Sequence, residues 1–128
     1  MSSRTMRKDI KLKRAYERPS PNDGVRILVD RLWPRGVKKV NAAIDYWMKE
    51  IAPSTELRHW FGHDPTRWEE LQRRYARELK QHPKEVDQLR SFAKHDVITL
   101  IYAAHDQDHN EAVVLRDFLL GRLLAIQR

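Results

Sequence analysis

Ile27, Leu28 and Val29 are three consecutive aliphatic residues followed at once by Asp30, Arg31, Trp33 and Arg35. A strand with no polar alternation is covered on both faces, which is the habit of central strands in parallel or mixed sheets. Such a strand empties its functional groups into the loop at its C-terminal end, where ligands bind in open α/β sheets. The chain is therefore expected to be α/β: a single compact domain with a small, mostly parallel sheet flanked by helices and a site at the C-terminal ends of the strands.

The remaining elements follow from period and punctuation. Ile10, Leu12 and Tyr16 alternate with lysines, as in a half-exposed edge strand. Pro19 to Gly24 is dense in turn formers. Val37 to Ala43 has room for one helical turn, while Ile44 to Ile51 fits either a helix or a strand. The strand is favoured because Ala52-Pro53-Ser54 reads as a strand end handing over to a helix capped by Ser54 and stopped at Gly62. Asp64-Pro65 opens a helix over about 65–81, in which Trp68, Leu71, Tyr75 and Leu79 form one buried stripe. Another helix starts near Pro83 and turns Val86, Leu89 and Ala93 inward. Val97 to Tyr102 reads as a strand at mid-sheet. Asp108 with Glu111 can cap a last helix carrying Val113, Leu115, Phe118, Leu119, Leu123 and Leu124.

Length and composition exclude much. One hundred and twenty-eight residues suffice for one core, so residues 1–128 are expected to form one domain, with 1–8 as a basic arm. The longest uninterrupted aliphatic runs are far too short to span a membrane. No charged-then-apolar leader follows Met1 and cysteine is absent, which excludes disulfides, thiolate ligands and a cysteine nucleophile and points to the cytoplasm. The net charge of +7 is concentrated: residues 1–18 carry seven cations against Asp9 and Glu17, a net +5, and leave +2 for the other 110. A basic N-terminal segment attracts polyanions, but it also solubilises an edge strand and a terminus.

If the two apolar strands run parallel, their loops share one edge of the sheet. That edge would gather Asp30, Arg31, Trp33 and Arg35 with His105, Asp106, His109 and Asn110, and with Ser54 as a further wall. Planar guanidinium forks suit phosphate or carboxylate, and Trp33 offers a flat apolar wall. Asp30, Asp106 and His109 are the candidates for acid, base or orienter, because histidine titrates near neutrality. Arg31, Trp33, Arg35, Ser54 and Asn110 are the candidates for ligand binding. The blander alternatives are an Asp30–Arg31 ion pair, tryptophans in the core, and His63-Asp64 as a helix cap. His105, Asp106 and His109 match none of the strong metal motifs, so no metal site is assigned. No Gly-rich phosphate loop or nucleophile elbow is present, and the cofactor stays open. A small anionic molecule is the expected partner. The alternative is a non-catalytic module that meets nucleic acid or an acidic protein through the basic segment and Arg67, Arg73, Arg74 and Arg77. Oligomeric state is left open, and no membrane partner is expected.

Asp23-Gly24-x-Arg26, Leu28 to Gly36, Trp47, Ala52-Pro53-Ser54, Leu57-Arg58-x-Trp60-Phe61, His63-Asp64-Pro65 and Asp106-x-x-His109-Asn110 together resemble the YeaO-like branch of the DUF488 family, over about residues 10–120. The resemblance implies a small cytoplasmic bacterial α/β domain and no particular reaction. Other branches carry a Cys at the strand end corresponding to Tyr102 and a Cys-His-Arg run just after the position of His109. Here those places read Tyr102 and Asn110-Glu111-Ala112, so no thiol chemistry proposed for those branches can operate.

Overall fold

A computed structural model describes residues 10–122. The expected basic arm at 1–8, together with Leu123 and Leu124 of the last apolar stripe, lies outside the described residues. Strands β1 (Ile10–Arg14), β2 (Val25–Leu28), β3 (Tyr46–Trp47) and β4 (Ile98–Tyr102) form one sheet in the order β1-β4-β2-β3. Every pairing is parallel. With helices α1 (Lys39–Ala42), α2 (Thr55–Phe61), α3 (Trp68–Leu79), α4 (Pro83–His95) and α5 (Glu111–Leu119) the fold is α/β, as expected.

β4 is central and all five of its residues are buried. Side chains alternate across a strand, and the two faces of the sheet are covered by different material. Val25, Ile27, Ile98, Leu100 and Tyr102 join the main apolar cluster with Leu71, Tyr75 and Leu79 of α3, Leu89 of α4 and Leu115 of α5. On the opposite parity, Arg26, Leu28, Thr99 and Ile101 are equally buried. There Arg26 donates to the carbonyls of Ala42 and Ala43, at 2.9 and 3.1 Å, and Thr99 Oγ1 donates to that of Asp23 at 2.7 Å. Loop and α1 backbone thus cover the second face.

A buried guanidinium is tolerable only when it is paired. Arg26 Nη1 lies 2.6 Å from Asp23 Oδ2, and Lys13 Nζ lies 2.9 Å from Asp23 Oδ1. Burial works against ionisation of Asp23, but bonds from Lys13, the Ser20 amide and Arg26 outweigh it and hold the carboxyl below its ordinary range. This carboxylate joins β1, the turn at Pro21–Asp23 and β2.

Several expectations shift in detail. The third strand is only Tyr46–Trp47, and Lys49–Ile51 forms a 3-10 turn that carries Ile51 fully into the core. At its start Asp45 Oδ2 takes the Arg26 amide at 2.8 Å, and past Met48, whose amide donates to the Leu28 carbonyl at 2.9 Å, the chain leaves the ladder for that turn. The helix expected over 65–81 begins as a 3-10 turn, Pro65–Arg67, capped by the Asp64 side chain, and becomes α-helical at Trp68. Trp68, at that junction, is half-buried, whereas Leu71, Tyr75 and Leu79 are fully buried. The cap of α5 is Asn110 rather than Asp108: the helix starts at Glu111, and Asn110 Oδ1 accepts from the Ala112 and Val113 amides at 2.9 and 3.2 Å.

Gly24 fixes the start of β2. Its φ of 65° and ψ of −137° lie in a region that side chains avoid, and a Cβ there would sit 2.0 Å from the Val97 carbonyl oxygen. Gly24→Ala is expected to destabilise the protein by about 3 kcal/mol or more, read as a lower urea midpoint. An unchanged midpoint would mean that β2 does not approach β4 this closely.

Candidate functional site

The parallel β2–β4 pairing carries both strand-end loops to one edge. The ladder continues past the strand ends, with the Val29 amide donating to the Ile101 carbonyl at 3.0 Å and Asp30 Oδ2 accepting from the Ala103 amide at 3.0 Å. The Asp30 carbonyl accepts from Trp47 Nε1 at 2.8 Å. Asp30 therefore joins three segments. Its other oxygen, Oδ1, is buried and has no partner among the described nitrogen and oxygen donors.

Glu111, the first residue of α5, lies with its carboxyl within hydrogen-bonding reach of the Asp30 side chain. Burial and the neighbouring Asp30 carboxylate raise its carboxyl well above the ordinary glutamate range, against the opposing pull of its own amide and of Arg58. Tyr75 lies below, fully buried, and its hydroxyl donates to the Ile51 carbonyl. Burial, with Glu111, Glu78 and Asp30 nearby, pushes that phenol well above its usual value.

Arg31 does not pair with Asp30. Its guanidinium donates to the carbonyls of Ala52 and Pro53, at 3.2 and 3.4 Å. Arg14, at the end of β1, donates to the carbonyls of Ala104 and Ala103, at 2.8 and 3.2 Å, and lies 3.5 Å from His105 Nδ1. Neutral carbonyls satisfy these donors without cancelling their charge. Arg35 is exposed, and its carbonyl accepts from the Tyr16 hydroxyl at 2.9 Å, with the Arg14 guanidinium over the Tyr16 ring. Among the described residues, neither Arg35 nor Arg58 forms an ion pair.

Asp106 and His109 form their own unit in the β4–α5 loop. Asp106 Oδ1 accepts from the amides of Asp108 and His109, and Oδ2 lies 3.0 Å from His109 Nδ1. The His109 ring meets the Trp68 ring edge-on, with 5.1 Å between ring centroids. The Asp108 amide and, against a smaller cost of burial, the bonds from His109 hold the Asp106 carboxyl below its ordinary range.

Ser54 and Asn110 have local work. Ser54 Oγ accepts from the Leu57 amide and donates to Glu78 Oε2 at 2.6 Å. Asn110 is buried, with Oδ1 capping Ala112 and Val113 and Nδ2 donating to the Asp106 carbonyl. Trp33 donates to the Val37 carbonyl at 2.7 Å and packs edge-on against Trp47. The edge thus brings Asp30 to the β4–α5 loop, keeps Asp106 with His109, and holds Trp33 in a separate aromatic cluster. Sequence reasoning missed Arg14, Arg58 and Glu111. Glu111 was visible only as a helix-start residue, although it is an acid next to a cap in a chain with another acid at a strand end.

Fold and edge together define a small parallel α/β domain with a polar strand-end cluster. The chain belongs to the DUF488 family: the model of the inactive DUF488-N3 subclade matches residues 9–127. It is 46% identical over 111 residues to the uncharacterized protein YeaO of Escherichia coli K12, covering 87% of this chain and 96% of that protein. It is 38% identical over 113 residues to the uncharacterized protein Mb3100c of Mycobacterium bovis, covering 88% of this chain and 95% of that one. The uncharacterized protein Rv3073c of Mycobacterium tuberculosis matches with the same identity and coverage. No solved structure matches the chain. Among the described residues no helix is long and apolar enough to cross a membrane.

In a carbon-detected NMR titration, the Asp106 carboxyl is expected to titrate below the ordinary aspartate range, and His109→Ala is expected to move it upward. A depressed folded value stabilises the loop above the unfolded value, and that contribution is lost as pH falls through the folded one. A carboxyl unmoved by His109→Ala would break the pairing.

Proposed function

We propose that the protein is a binding domain without a catalytic step and that it holds a small anionic molecule, such as a phosphate or carboxylate, at the C-terminal edge of its sheet. The observation that carries this reading is the pairing of Arg14 and Arg31 with backbone carbonyls instead of acids. Their charges remain uncompensated beside the unpaired Arg35 and Arg58, and such a surplus at a strand-end edge favours an oxyanion. Arg58 and Arg35 would clamp the anion, with His109 Nε2 as a further donor and Arg31 as fixed background charge.

Absence of catalysis is supported by how the candidate groups are already engaged. Ser54 and Asn110 are committed to caps, and Asp30 to the Ala103 amide. The family's description as an inactive subclade points the same way. The nucleic-acid alternative loses much of its surface, because Arg73 and Arg74 pair with Glu70 and Arg67 pairs with Asp64.

Thermal unfolding in sodium phosphate against sodium chloride of matched ionic strength tests the reading. A ligand at about ten times its Kd adds about 1.4 kcal/mol, so the midpoint should rise by on the order of 4 °C. Arg58→Ala, at an exposed site, is expected to keep the fold and lose the phosphate increment. No increment from phosphate or from citrate, or one that persists in both Arg58→Ala and Arg35→Ala, would overturn the proposal.

A further inference from the structure

One carboxylate oxygen at the centre of this edge has no donor in an otherwise satisfied network. Asp30 Oδ2 is bonded to the Ala103 amide, Oδ1 is buried and unpartnered, and the Glu111 carboxyl lies within hydrogen-bonding reach of this side chain. A buried acceptor left without a partner is costly, and two ionised carboxylates at hydrogen-bonding distance repel. A single proton removes both penalties, because a neutral Glu111 donates an O–H to Asp30 Oδ1.

We propose that Asp30 and Glu111 share one proton in the folded protein and that this proton is a latch, holding the end of β2 to the first turn of α5 and releasing when it is lost. The groups around Glu111 fit that assignment. Asp30 faces it from the end of β2, and Arg58 faces it from α2. Tyr75 faces it from α3 and Tyr102 from β4, both with phenols raised by burial first and by Glu111 among the charges near them. Arg58 is the cation that opposes the proton on Glu111, while Arg31 acts on Tyr75 and Arg14 on Tyr102. Arg58 is exposed, so solvent screens its pull on the pair. The Asn110 cap keeps Glu111 at the helix start, where the helix amides favour the ionised form and oppose the latch without bridging to Asp30.

Loss of the proton places two negative charges where β2, β4 and α5 meet. The β4–α5 loop, which carries Asp106 and His109, is the segment anchored through Ala103 on one side and Asn110 on the other, so it is the part the latch loosens. The inference concerns proton occupancy and stability alone, and it stands or falls independently of anion binding.

The sign of the pH effect is fixed. An acid whose folded value is raised keeps its proton in the folded state where the unfolded chain has already released it. Stability is therefore full below the ordinary glutamate value of 4.5 and declines as pH rises toward the folded value. Glu111→Gln supplies a permanent amide donor to Asp30 Oδ1 and removes the titration. Thermal unfolding of the wild-type protein and Glu111→Gln between about pH 4 and about pH 9 should start with similar midpoints. The wild type should then fall behind by on the order of 5 °C for each unit by which the folded value is raised. Arg58→Ala should carry the decline to higher pH at the same slope, because removing the cation strengthens the hold on the proton. Should Glu111→Gln fail to fold, the Glu111 carboxyl carbon of the wild type reports directly, with a protonated signature expected at neutral pH. Parallel curves for wild type and Glu111→Gln, or an ionised Glu111 carboxyl at neutral pH, would overturn the latch.

Discussion

Asp30 is where the parallel sheet is tied to everything beyond its C-terminal edge. Its side chain takes the Ala103 amide at the end of β4 and lies within hydrogen-bonding reach of the Glu111 carboxyl at the start of α5, and its carbonyl takes the Trp47 indole. A carboxylate is suited to this place because backbone amides at a strand end have lost their ladder partners. An acceptor with two oxygens can close the ladder and still reach a second element. The same capacity creates the tension at the site, since an oxygen aimed at another acid needs a proton between them.

The opposite end of the sheet is held by similar means with opposite electrostatics. Asp23 accepts from Lys13, the Ser20 amide and Arg26, so its charge is matched by cations and its carboxyl is held below the ordinary range. Among the described residues Asp30 and Glu111 have no cation bonded to them, and there the Glu111 carboxyl is raised instead. Asp23 at the start of β2 and Glu111 beside its far end are therefore driven in opposite directions by the presence or absence of a tightly bonded cation. The N-terminal end is a static brace. The C-terminal end is the one that responds to protons, and it is also the end where guanidinium charge is left in surplus.

Most of the architecture was legible because it follows from period. Three aliphatic residues in a row at Ile27 to Val29 require cover on both faces, and β2 and β4 have it. Ser54, Asp64, Gly62 and the stripe of Leu71, Tyr75 and Leu79 marked helix starts, a stop and a buried face from chemistry local to each segment. The misplacements fall where two local options compete for one group. Asp108 and Asn110 both offer a capping oxygen, and because the helix starts at Glu111 the Ala112 and Val113 amides go to Asn110. Ile44 to Ile51 carried both a strand and a helical period, and the chain uses each for a few residues, Tyr46–Trp47 as strand and Lys49–Ile51 as a 3-10 turn.

The sequence by itself determined an α/β chain with parallel strands, the positions of its helices and the fact that Asp30, Arg31 and Arg35 follow a buried strand, because hydrophobic period, turn chemistry and capping act within a few residues. The tertiary structure alone decided the partner of each polar group: Arg31 with carbonyls of the Ala52–Pro53 segment, Arg14 with the β4–α5 loop, and Glu111 with Asp30, across 81 positions of chain. Hydrogen-bond partners distant in sequence are selected by where packing brings backbones together. No spacing rule encodes that a strand-end aspartate will meet the first residue of a helix so far away, and the charge state of the pair follows only from the burial that the meeting creates.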